Sequence, residues 1–251
     1  MLPHTTIGSG EPSIVFVHGF TQTRESWRPC AERLGARHRC VLVDAPHHGE
    51  AQSIDVDHDG AARLVADTAR GSVLVGYSMG GRLALAAAVA PSTSLRALVL
   101  VSTTAGIESN AERSVRRADD DALATRITSI GTDAFLTEWL QQPLFAGSHR
   151  DDVEVASRRS NAAESLARSL RRCGAAEQAP VWNDLAKITI PTLIVAGARD
   201  AKYVGLANRL HEVIADSELA IIEDAGHAAH LDQPNRFAEL LEDFLSRRVD
   251  A

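Results

Sequence analysis

The chain has 251 residues, 45% of them apolar and 24% charged, with a net charge of −7. That is enough chain to bury one large core, and the negative balance offers no electrostatic basis for binding nucleic acid or an anionic membrane. Cys30, Cys40 and Cys173 have no metal-like spacing and read as reduced thiols, so a cytoplasmic protein is expected.

The first residues lack the basic-then-apolar order of a signal peptide, and nowhere does an apolar run reach the roughly 20 residues of a membrane span. Residues 1–12, punctuated by Gly8, Gly10 and Pro12, leave room for one edge strand at most. Ser13–Val17 predicts a buried strand ending at His18-Gly19-Phe20, and Thr21–Trp27 a loop entering a helix to about Leu34. Cys40–Val43 predicts a second strand, stopped by Asp44-Ala45-Pro46-His47-His48-Gly49. A helix over His58–Arg70 leads to a third strand, Ser72–Val75, and Leu95–Val101 is a fourth. Strands this apolar, alternating with helices, predict a mostly parallel sheet covered on both faces.

From Gly106 to Trp182 that alternation stops. Polar helical segments punctuated by Gly131, Pro143, Gly147 and Gly174 predict a helical cap inserted between two parts of one core. The division expected is 1–105 for the first part of the core, 106–185 for the cap and 186–251 for the second part. Thr192–Ala196 and Leu219–Ile222 are further strands around a helix at Tyr203–Ile214. The last helix, after Pro234, lines up Phe237, Leu240, Leu241, Phe244 and Leu245 on one face.

The chemistry centres on Gly76-Tyr77-Ser78-Met79-Gly80-Gly81-Arg82, between the Val73–Val75 run and the Ala/Leu-rich run that follows. A strand turning sharply into a helix at Gly-x-Ser-x-Gly exposes the serine, and the glycines let strand and helix pass closely. A serine hydroxyl needs a base, and a histidine base needs a carboxylate to orient it. Asp200 follows one late strand and His227 the next, where the sites of doubly wound sheets assemble. Each has a plainer reading: Asp200 as an N-cap of the following helix, and His227 as a loop residue with His230 as its competitor. The order Ser78, Asp200, His227, each at a strand end, favours a triad. The Phe20 and Met79 N–H groups are the expected oxyanion donors, with His18 bracing its loop.

These motifs, with Gly-Ala-Arg-Asp-Ala-Lys-Tyr at 197–203 and Gly-His-Ala-Ala-His at 226–230, resemble the α/β-hydrolase superfamily over nearly the whole chain. Within it the chain looks most like the 2-succinyl-6-hydroxy-2,4-cyclohexadiene-1-carboxylate synthases of menaquinone biosynthesis. Arg82 after the elbow, the run from Gly106 through Arg116, the Trp139–Phe145 stretch and Arg158-Arg159-Ser160-Asn161 carry that resemblance. It implies an α/β-hydrolase fold and a lyase that eliminates pyruvate from an enolpyruvyl precursor, with no metal or organic cofactor. It also implies Arg82, Arg116 and Arg159 as clamps for a polycarboxylate substrate, with Tyr77, Trp139, Lys202 and Tyr203 lining or supporting the pocket. Arg113, Arg117 and Arg158 read as solvated helix faces.

The sequence departs from the family at 44–49, where His47 stands in place of a glycine and a differently folded loop is expected. A serine hydrolase of a small ester, thioester or carbon–carbon bond using the same triad is the nearest rival, and a non-catalytic small-molecule receptor the second. Monomer and homodimer both remain open.

Overall fold

Seven strands form one sheet in the computed structural model, which describes residues 1–90, 94–145 and 152–249. They are β1 (His4–Ile7), β2 (Ile14–Val17), β3 (Cys40–Val43), β4 (Val73–Tyr77), β5 (Ala97–Val101), β6 (Thr192–Gly197) and β7 (Ser217–Ile222), in the order β1-β3-β2-β4-β5-β6-β7. Only β1 is antiparallel, pairing His4 with Val43 at the sheet edge. The crossover helices are α1 (Arg28–Leu34), α2 (His58–Thr68), α3 (Met79–Val89) and α7 (Ala201–Val213), and α9 (Pro234–Arg248) follows the last strand.

Period-two alternation along the strands divides the interior into two cores. Val15, Val17, Leu74, Leu98, Leu100 and Ile194 face α2, α3 and α7. Ile14, Phe16, Val73, Val75, Val99 and Val195 face α1 and α9. On α9, Phe237, Ala238, Leu241, Phe244 and Leu245 are fully buried, whereas Leu240 of the expected face is only half-buried. The edge strand β7 begins two residues earlier than its apolar run, because Ser217 and Glu218 are half-exposed there and pair with Thr192 and Leu193. The short helix α8 (Ala229–Asp232) carries no signal in the sequence pattern.

Between β5 and β6 the described residues form α4 (Asn110–Trp139), α5 (Asp152–Arg158) and α6 (Ala163–Cys173), and no strand. Gly131 breaks α4 with φ 79° and ψ 167°, so α4 is two helices meeting at the expected break. Gly147, taken as another break, lies outside the described residues. Ala124, Ile127, Phe135, Leu166, Ala167 and Leu170 give this cap its own small apolar cluster, with Phe20 and Trp139 packed against it.

Polar groups fasten cap to core. The buried Asn161 donates from Nδ2 to Thr21 O (2.9 Å) and Arg158 O (3.0 Å), and accepts at Oδ1 from the Gly49 N–H (2.8 Å). The loop at 44–49 therefore has a defined role. His47 itself takes the left-handed conformation, φ 70°, and donates from Nε2 to Val56 O (3.0 Å). Asp44 ties the loop by accepting from the Arg24 and Glu50 N–H groups. The loop accommodates its bulky residue rather than avoiding it.

Two substitutions test this framework. A Cβ at Gly80 would lie 2.3 Å from Val17 O, a backbone atom that cannot step aside, so Gly80→Ala should abolish recovery of folded protein. Asn161→Ala orphans a buried N–H and two carbonyls, and should lower stability by about 2–4 kcal/mol in denaturant unfolding.

Candidate active site

Ser78 sits between β4 and α3 with φ 51° and ψ −107°, a strained conformation for any residue with a side chain. Its N–H donates to Val101 O (2.9 Å), and its carbonyl accepts from Thr103 Oγ1 (2.9 Å) and the Arg82 N–H (3.0 Å). The turn is thus fixed by β5, by the loop after it and by the helix it opens. Its hydroxyl donates to His227 Nε2 (3.0 Å), and His227 Nδ1–H donates to Asp200 Oδ2 (2.8 Å). The acceptor-only carboxylate fixes the proton on Nδ1 and leaves Nε2 free to act as a base.

Asp200 fills both roles considered for it. Oδ2 holds His227, while Oδ1 accepts from the Tyr203 N–H (3.2 Å) and caps α7. Tyr203 packs its ring against that of His227, centroids 4.3 Å apart and tilted by 56°. His230 is excluded as the base: it lies sealed between Trp27 (4.1 Å), Tyr77 (4.5 Å) and Phe237, and neither ring nitrogen has a partner among the described residues. His18 braces the turn, donating from Nδ1 to Gly19 O (2.8 Å) and accepting at Nε2 from the Ala45 N–H (3.1 Å).

A cavity of about 430 Å³ opens over Ser78 and His227, with Phe20, Tyr77, Met79, Arg82, Arg116, Trp139, Lys202 and Tyr203 in its wall. Arg82 lies on the floor, 8% exposed. Its Nη1 donates to Cys173 O and Gly174 O and its Nη2 to Cys173 O, each at 3.1 Å, so it caps the C-terminus of α6. Of five N–H donors, Nε–H and one Nη2–H have no partner among the described residues, the side-on fork that matches a carboxylate. Burial, reinforced by the nearby charge of Arg116, pulls the Arg82 pKa below its ordinary value.

Arg159 does not reach the cavity: its side chain is 59% exposed and faces Asp133. Its neighbour Arg158 does, correcting both expectations at once. Arg158 is 3% exposed, with Nε and Nη2 on Glu154 Oε1 (2.7 and 2.6 Å) and Nη1 on Thr21 Oγ1 (2.6 Å). One N–H on each terminal nitrogen has no partner among the described residues. The swap is one residue of helical phase: α5 ends at Arg158, so its last side chain turns inward and the next turns out. Arg113 and Arg117 are surface residues, paired with Asn110 and Glu177. The cavity also recruits Gln22, Asp119, Asp120 and Leu123, which sequence reasoning passed over, and Gln142, Leu144 and Phe145, which it named only as part of the Trp139–Phe145 stretch. Asp120 also had a visible signal, standing four residues after Arg116.

Residues 14–240 match the alpha/beta hydrolase family. The chain is similar to the 2-succinyl-6-hydroxy-2,4-cyclohexadiene-1-carboxylate synthase of Klebsiella pneumoniae, 34% identical over 90% of each chain. It is 32% identical to the Salmonella typhimurium protein of the same name, over 94% of each. Among solved structures it resembles MenH from S. aureus, with a TM-score of 0.91 and 29% identity over 98% of this chain and 99% of that one. A thermophilic esterase from Thermogutta terrifontis superposes with a TM-score of 0.80 at 25% identity, over 98% and 93%.

Buried histidines around the site set its acid tolerance. Burial lowers the pKa of His18 and His58 to about 4 and of His48 and His230 to about 3. Each takes up a proton near pH 6.5 when unfolded but not when folded, so stability is full above that pH and falls as pH drops toward 4. Each contributes a slope of up to about 1.4 kcal/mol per pH unit. Denaturant unfolding between pH 7.5 and 4.5 should show a steep acid-side decline, and a flat profile would contradict neutral burial of these rings.

Proposed function

The chain belongs to the alpha/beta hydrolase family, and from its similarity to the synthases within that family we propose that it is a lyase of menaquinone biosynthesis. It converts 2-succinyl-5-enolpyruvyl-6-hydroxy-3-cyclohexene-1-carboxylate to 2-succinyl-6-hydroxy-2,4-cyclohexadiene-1-carboxylate and pyruvate. The single observation that carries this reading is a serine triad facing a pocket walled by Arg82, Arg116, Arg158 and Lys202. The precursor has three carboxylates, and several guanidinium forks suit it in a way that a neutral ester would not require.

The chemistry follows from the two structures it connects. Moving from a 3-ene with a leaving group at C5 to a 2,4-diene requires loss of the C2 proton, which is acidified by the adjacent succinyl ketone. Ser78, its own proton drawn to His227, takes the C2 proton, and negative charge develops on the ketone oxygen. That electron pair forms C2=C3, the old double bond moves to C4=C5, and the C5–O bond breaks. The departing enolpyruvate picks up a proton, returned by way of His227, and becomes pyruvate. The Phe20 and Met79 N–H groups stabilise the ketone oxyanion, and such donors lower a barrier by about 3–4 kcal/mol each. Met79 opens α3, so its N–H belongs to the first turn, which has no intrahelical acceptor. Asp200 keeps the imidazole oriented throughout, and no cofactor enters the sequence.

The similarity to an esterase supports a second reading, acyl transfer with Ser78 as nucleophile. Assaying pyruvate release from the enolpyruvyl precursor, alongside hydrolysis of p-nitrophenyl acetate, separates the two. Wild type should release pyruvate and Ser78→Ala at least about 10³-fold less. Near-normal release by Ser78→Ala would remove the serine-base mechanism, and rapid acetate turnover without pyruvate would favour the esterase. Of the paired arginines, Arg158→Lys should raise KM about tenfold or more, because a lysine cannot present the fork. Arg159→Ala should stay within about twofold, as expected of an exposed ion pair.

A further inference from the structure

We infer that Asp120 is a positioning residue for the polycarboxylate clamp, holding Arg116 by its Nε–H so that the terminal fork of the guanidinium faces the pocket. The inference rests on the reading of this pocket as a polycarboxylate site.

Arg116 and Asp120 stand one turn apart on α4, and the two side chains differ sharply in exposure, 43% against 5%. A half-exposed arginine samples many rotamers, and fixing one of them requires an anchor that does not itself move. Asp120 supplies it, accepting from Arg116 Nε at 2.8 Å through Oδ1. No other bond of Arg116 is present among the described residues, so both terminal nitrogens are left for a ligand. The anchor is wedged in place: Oδ2 lies where a Cβ on Gly174 would come within 2.6 Å, beside the carbonyl that Arg82 caps. Oδ2 itself has no hydrogen-bond partner among the described residues. Burial pushes the Asp120 carboxyl above its ordinary pKa, opposed by the charges of Arg116 and Arg82. The carboxylate thus sits by two like charges that repel each other and lets both address one cavity.

A carboxylate in the wall of an anion pocket also repels the ligand, so removing it has two opposite effects. The neighbour Asp119 separates them. It lines the same cavity and is exposed, but holds no arginine among the described residues. Asp119→Ala removes only repulsion.

The test is a double-mutant cycle on pyruvate release from the enolpyruvyl precursor, using wild type, D120A, R116A, the double variant and D119A. D120A should raise KM about tenfold, the size of one lost charge-assisted contact, with kcat within about twofold. In the R116A background the same change should no longer raise KM, and D119A should lower KM in the wild type, because it removes only repulsion. An unchanged or lower KM for D120A alone overturns the inference. A full-sized penalty that persists without Arg116 also overturns it, because Asp120 would then act through something else. Asp120→Asn, which keeps the shape, covers any loss of folding in the alanine variant and should raise KM by a smaller factor. If the wild type releases no pyruvate, the elimination reading fails. The same cycle scored as tricarballylate affinity by calorimetry still decides the placement of Arg116.

Discussion

The left-handed backbone at Ser78 costs about 1–3 kcal/mol for a residue with a side chain, and it persists only because its surroundings over-determine it. Val101 O, Thr103 Oγ1 and the first turn of α3 supply the bonds, and the glycines on either side supply the room. Gly76 passes Gly80, and Gly80 passes Val17, at separations where no methyl group fits. Once that turn is set, much of the site is set with it. The hydroxyl points to His227, the Met79 N–H opens a helix end, and Arg82 lies one turn along the same helix. The positions of β2, β4 and β5 are therefore preconditions of the chemistry, not a neutral scaffold beneath it.

The cap is attached by a different physics. Its apolar cluster is small, and buried hydrogen bonds fasten it to the core, several of them made by the Arg158–Glu154 ion pair that lies within α5. Asn161 reaches two loops, Arg158 reaches Thr21, and Gln22 Nε2 donates to the same Glu154 oxygen that holds Arg158 (3.4 Å). Buried polar groups have few alternative partners, so a docking made of them is tightly specified in geometry even where its net stabilisation is modest. That geometry holds Arg158 in the wall of the cavity that also contains Ser78.

Legibility from sequence followed the range over which each signal acts. The strands showed because apolar runs are local, and the triad showed because a motif and two strand ends occur in a recognisable order. Asp200 looked ambiguous between helix cap and histidine-orienting carboxylate, and the ambiguity was real, since one oxygen bonds the Tyr203 N–H and the other His227. Arg158 and Arg159 were misassigned because α5 is seven residues long, too short for periodicity to fix which of two adjacent side chains faces inward. One residue is about 100° of helix rotation. At 44–49 the bulky residue suggested a new loop shape. A histidine can adopt a left-handed conformation at moderate cost, and here a bond to Val56 O accompanies it.

Arg82 binds the roof of the pocket to its floor, with consequences for how such an enzyme could change its substrate. A shift toward neutral substrates would favour losing this charge, but neutralising Arg82 also uncaps the carbonyls at the end of α6. Selectivity and lid integrity are therefore inherited together. A drift toward esterase chemistry would have to rebuild the end of α6 before, or along with, the pocket.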